Sequence, residues 1–132
     1  MGILDIDVSN TPEMEPAPDG EHEVRITDVT EGTDKNGNPY LLPRFEVVGV
    51  DTAPDFTKFY GLPTKEMKAE DPKRHQRASL NLKKFFEAFG IDPSSPGDPQ
   101  EWRGETAWAM LGTEVNEEFG DRNYIKRFIT GA

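Results

Sequence analysis

Residues Gly20 to Val50 constrain the fold more than any other stretch of this chain. Glu23 to Thr30 alternates, with Val24 and Ile26 on one face and Arg25 and Thr27 on the other. Tyr40 to Val48 alternates again, setting Pro43, Phe45 and Val47 against Tyr40, Arg44 and Glu46. A period of two belongs to a half-buried strand, because successive side chains leave a strand on opposite faces. Between the two runs, Asn36-Gly37 is a strong signal for chain reversal. The stretch therefore predicts an antiparallel hairpin with one apolar face and one face carrying Arg25, Tyr40 and Arg44.

The remaining elements complete that sheet. Phe56 to Leu62 reads as a third, aromatic strand closed by Pro63. A polar, basic passage runs from Thr64 to Gln76, within which Asp71-Pro72 has the form of an N-cap followed by proline at the first helical position. Leu82, Phe85, Phe86 and Phe89 recur at helical spacing and Gly90 supplies a left-handed C-cap, which predicts a helix over about 72–89. Glu105–Leu111 and Arg122–Ile129 read as strands four and five. In strand four the small Ala107 and Ala109 share a face with Leu111, opposite Trp108 and Met110. Three strands, a helix and two strands is the order of a mainly β, five-stranded OB-fold-like antiparallel barrel with one helix between strands 3 and 4. The periodicity alone also permits an open α+β sheet with one helix. The barrel domain is expected over 20–130. Residues 1–19, acidic and holding Pro12, Pro16 and Pro18, are expected to be an extended or partly disordered leader. The apolar Ile3, Leu4, Ile6 and Val8 within it suit a short edge strand or docking on a neighbour.

Several classes of function lack their residues. Cysteine is absent, which excludes disulfides and thiolate chemistry. His22 and His75 are far apart, so no usual zinc set exists and no metal is expected. There is no Gly-x-Gly-x-x-Gly and no phosphate-binding Gly-x-x-x-x-Gly-Lys-Ser/Thr, hence no cofactor is expected. The serines have no histidine in a recognisable pattern, and Glu117-Glu118 lies in a turn; a non-enzyme is expected. No run reaches the ~20 apolar residues of a membrane span, and the N-terminus lacks the form of a secretory signal, so the cytoplasm is the expected compartment.

The net charge of −10 argues at first against nucleic acid, but its distribution is uneven. Residues 1–23 carry seven acids and no Lys or Arg, whereas residues 56–84 carry eight bases against three acids. Screening cuts off charges beyond roughly 8–10 Å, so a local basic surface survives in an acidic chain. Aromatics and bases also alternate on the strands. Tyr40 shares a face with Arg44, Lys58 with Tyr60, and Tyr124 with Lys126 and Arg122. Single strands of nucleic acid are held by that combination, with π-faces for bases and cations for phosphates. The plainer alternative is that the aromatics are core and the bases solvate the outer face. Trp102 is expected to pack over the barrel end. Trp108 has outward parity, suited to stacking on a base or to being capped by a loop. The Lys65–Arg77 run reads as a solvated face or a mobile loop that also suits phosphate contact.

Six segments taken together carry a resemblance: Pro18–Ile26, Lys35–Tyr40, Phe45–Val48, Leu82–Ile91, Trp102–Gly104 and Arg122–Arg127. In order and spacing the chain resembles, over roughly residues 15–129, a family of bacteriophage replication-module proteins regarded as single-stranded-DNA-binding proteins with an OB-fold. The resemblance implies sequence-tolerant binding of single-stranded DNA during phage replication or recombination, in the cytoplasm of an infected bacterial host. It adds Lys35 and Arg127 to Tyr40, Arg44, Tyr124 and Lys126 as binding residues. Stacking would then fall to Tyr40, Tyr60, Tyr124 and Trp108, and phosphate neutralisation to Arg25, Arg44, Lys58, Lys126 and Arg127. The strongly negative charge and the long 51–77 insertion depart from the family. Acid is concentrated in the N-terminal leader, which is expected either to recruit phage or host replication proteins or to compete with DNA. The alternative from another class is a small β-barrel interaction module docking on a replication partner; a third is an acidic DNA mimic.

Overall fold

Strand β1 (Gly20–Thr33) pairs antiparallel with β2 (Pro39–Val47) around the Asn36-Gly37 turn, as the alternation predicts. The structure is a computed structural model in which residues 4–130 are described. Val24 and Ile26 on β1 and Phe45 and Val47 on β2 are buried. A β-bulge interrupts the ladder: Ile26 faces Phe45, but Asp28 faces Arg44, leaving Thr27 as the extra residue. One inserted residue flips parity, so Val29 rather than Asp28 continues the buried row.

The predicted third strand is split. β3 (Phe56–Thr57) and β4 (Tyr60–Gly61) both pair with β2, with Lys58 and Phe59 between them. The basic passage holds a short helix, α1 (Lys65–Glu70), which the sequence reading leaves as a polar segment. Thr64 caps it by accepting from the Met67 amide at 3.1 Å. Helix α2 (Pro72–Ala88) follows within a residue of its predicted limits. Asp71 caps its first turn, and Gly90 (φ 72°) ends it in a conformation that favours glycine. A 3₁₀ turn (Pro99–Trp102) leads into β5 (Thr106–Glu114), which pairs with β1 and with the last strand, β6 (Arg122–Ile129).

The sheet order is β3-β2-β1-β5-β6, curled into an OB-like half-barrel with one main helix between the third and fourth predicted strands. The two ends of the path, β3–β4 and β6, approach one another, and α2 packs in the gap between them. Its apolar face supplies the core: Phe85 lies 5.0 Å from Tyr60, 5.1 Å from Phe89 and 5.8 Å from Trp102, centroid to centroid. The fully buried Ala109 leaves room for these rings under a tightly curved sheet. Burying each ring stabilises the fold by about 1.5–3 kcal/mol. Trp102 is buried edge-on against Phe85 and Phe86, its indole N–H donating to the Pro96 carbonyl at 2.8 Å.

The leader is tied down near the domain. The buried Asn123 side chain accepts from the Ala17 amide at 2.8 Å and donates to the Ala17 and Gly112 carbonyls at 2.9 and 3.1 Å. The Glu15 amide donates to the Thr52 carbonyl, and the Thr113 hydroxyl to Asp19. Leu4, Ile6 and Val8 are exposed and form no strand; Ile3 lies outside the described residues. Among the described residues no helix is long and apolar enough to cross a membrane.

Candidate nucleic-acid interface

The gap that α2 fills is also where the cations collect. Two clefts, of about 410 and 250 Å³, open between β3–β4, α2 and β6 and share Lys58, Tyr60 and Asn81. The larger is lined by Lys84 of α2 and by Lys126 and Arg127 of β6; the smaller by Phe59, Arg74 and Arg77. Together they form one groove walled by Lys58, Arg74, Arg77, Lys84, Lys126 and Arg127. Among the described residues Glu87 is the one carboxylate on those walls, and it lies 3.9 Å from the Lys83 ammonium.

Local structure explains each position. Arg74, Arg77, Asn81 and Lys84 are spaced three, four and three residues apart, so they form one stripe along α2 beside its apolar face. On β6, a bulge makes Lys126 the extra residue, since Met110 faces Arg127 while Leu111 faces Ile125. Both Lys126 and Arg127 are consequently exposed at the lip of the groove, where strict alternation would have turned one of them inward.

The other predicted residues separate into distinct places. Arg25 is ion-paired with Glu46, its register partner on β2, and Arg44 with Asp55 at 3.2 Å, so the hairpin's outer face is locally neutralised. Arg122 donates to the Asp55 carbonyl at 2.8 Å and joins β6 to the β2–β3 loop. Lys35 is exposed in the β1–β2 turn. Its neighbour Asp34 is held below the usual carboxylate range, chiefly by the Asn38 backbone N–H, with a smaller contribution from the Arg74 guanidinium. Tyr40 is half-buried against Phe59 at 5.0 Å; Phe59 itself is 58% exposed and is the more open ring.

Tyr60 departs most from its expected role. It does not present a stacking face beside Lys58; it is 4% exposed, with its ring against Phe85 and the Lys58 ammonium 5.5 Å from its centroid. The physical reason is the split of the third strand, after which Tyr60 turns into the aromatic core. Trp108 (49% exposed) and Tyr124 (40%) do point outward, on the convex side of β5–β6. Tyr124 lies across Gly112, where a Cβ would come within 2.7 Å of its ring, so glycine there allows the phenol to lie flat. Trp108 stands opposite Glu23, a carboxylate that disfavours a phosphate beside it.

Sequence parity overlooked Phe59, Asn81 and Lys84, and the α2 stripe was the signal that would have found the last two. Among the described residues no group of three or more His, Cys, Asp or Glu side chains suits a metal ion. No protein-family model matches the chain, and no curated protein matches it.

Proposed function

We propose that this chain binds single-stranded DNA without reading its sequence, along the groove between β3–β4, α2 and β6. The observation that carries this is the charge of the groove: among the described residues it has six cations and a single carboxylate, in a chain whose net charge is −10. None of the six is used in the ion pairs found among the described residues. Phosphates follow the cations, while bases stack on Phe59 and Tyr40 at one end and on Tyr124 beyond the β6 lip. Each stacked base contributes roughly 1–3 kcal/mol and any base serves, because every base has a π-face. The resemblance to phage single-strand binders supports the same assignment, with a place in phage replication or recombination in the cytoplasm of the bacterial host.

Fluorescence anisotropy of a labelled oligo-dT of about 30 nucleotides, at roughly 20 and 200 mM salt beside a duplex control, tests it. Salt-sensitive binding, much weaker on duplex, is the expected result. No binding at low salt would remove the proposal. A second reading, docking of a replication protein, draws on a different surface. A cleft at the strapped end of the barrel is lined by Met14, Pro16, Pro54 and the 66%-exposed Phe119. Loss of partner capture on Phe119→Asp, with DNA binding intact, would favour it.

A further inference from the structure

Tyr60, which lines both clefts, carries a polar group without a partner. The Tyr60 hydroxyl is a buried side-chain atom with no hydrogen bond among the described residues, and the Tyr60 ring walls both clefts. Buried polar groups are nearly always bonded, so an exception calls for a cause. Packing does not supply one. The ring's aromatic neighbour is Phe85, and the surrounding cluster of Phe45, Phe86, Phe89 and Phe128 is made of phenylalanines. A phenylalanine at position 60 would fill the same space and leave nothing unpaired.

The chemistry around the hydroxyl narrows what would satisfy it. Burial pushes its pKa above the ordinary phenol range, so it remains a donor. Lys58, Lys84, Lys126 and Arg127 line the same cleft, and ammonium and guanidinium groups have donors but no acceptor. Asn81 and Thr130 on the walls can donate as well as accept. Glu87, the one acid there among the described residues, is next to Lys83. A site where four cations face one acid among the described residues is matched by a compact anion with several acceptor oxygens.

We propose that the waist of the groove is a seat for one phosphate group, in which the Tyr60 hydroxyl donates to a phosphate oxygen and Lys58, Lys84, Lys126 and Arg127 neutralise the charge. It deepens the single-strand reading and rests on it for the source of the phosphate. The hydroxyl is buried, so seating the anion requires the Lys58 ammonium to move from the face of the Tyr60 ring onto the anion and the phenol edge to open to the cleft. A strand in the groove is thereby pinned at one phosphate, with its neighbouring bases free to stack toward Phe59 and Tyr124. Inorganic phosphate fits the same seat and competes for it.

The test compares the full chain with Tyr60→Phe. Thermal melts are recorded in inorganic phosphate and in sodium chloride of matched ionic strength, and oligo-dT affinity is measured by anisotropy. Tyr60→Phe is expected to melt at or above the wild-type temperature, because the orphan hydroxyl is gone. Phosphate should raise the melting temperature of the wild type beyond chloride and leave that of the variant unmoved. Oligo-dT should bind the variant about tenfold more weakly, as expected for losing one hydrogen bond to a charged group. Equal phosphate responses and equal oligo-dT affinities in the two proteins would overturn the seat, while the single-strand reading stood. A Tyr60-dependent phosphate response with no oligo-dT binding would support the seat for free phosphate and remove the single-strand reading.

Discussion

The β1–β2 hairpin and the α2–β6 groove both carry several cations, yet they are electrostatically unlike. On the hairpin each arginine meets a carboxylate: Arg25 its cross-strand partner Glu46, and Arg44 the loop residue Asp55. Among the described residues the groove has six cations and one glutamate, itself beside Lys83, and none of the six is in an ion pair. An exposed pair on a sheet leaves almost no net field for a polyanion, whereas converging unpaired cations create one. A basic residue on a strand is therefore a poor guide to a binding site until its nearest carboxylate is known.

The largest effect should come from reversing charge in the groove. Lys84→Glu with Lys126→Glu is expected to weaken oligo-dT binding by about 100-fold or more at low salt. It should also flatten the log–log salt dependence by about 1.4, for two single-strand phosphate contacts. Titrations at several salt concentrations measure both, and a similar loss from neutralising Arg25 would break the contrast. Next in size is Asn123→Ala, which strips the Ala17 amide and carbonyl and the Gly112 carbonyl of their buried partner. It should cost about 2–3 kcal/mol in urea unfolding, with oligo-dT affinity unchanged while the protein is folded, since Asn123 is outside the groove. The smallest effect belongs to Arg25→Ala and Arg44→Ala. Each should change unfolding free energy by less than about 1 kcal/mol and affinity by less than about twofold, because exposed pairs contribute little.

Much of the fold was legible because its elements obey simple periods. The hairpin came from alternation and a turn, and α2 from apolar spacing bounded by Asp71-Pro72 and Gly90. The site was less legible, for reasons that differ by residue. The bulges at Thr27 and Lys126 shift parity without a glycine to announce them, so the exposure of Arg127 beside Lys126 was not readable from alternation. Tyr60 sits in a two-residue strand, too short for alternation to decide its face, and an aromatic core was ready to take its ring. Asn123 falls on the inward row of β6, where a polar residue is unexpected; its partner Ala17 lies 106 residues away. The stripe from Arg74 to Lys84 was readable, since its spacing alone puts it on one side of the helix.

Amide chemical-shift mapping during titration with an oligo-dT of about 12 nucleotides tests the central claim most directly. The groove account predicts salt-sensitive shifts concentrated at Lys58, Arg74, Arg77, Asn81, Lys84, Lys126 and Arg127, with Arg25, Arg44 and Glu46 unmoved. Shifts confined to the outer face of the β1–β2 hairpin, or the absence of any shift at low salt, would contradict it.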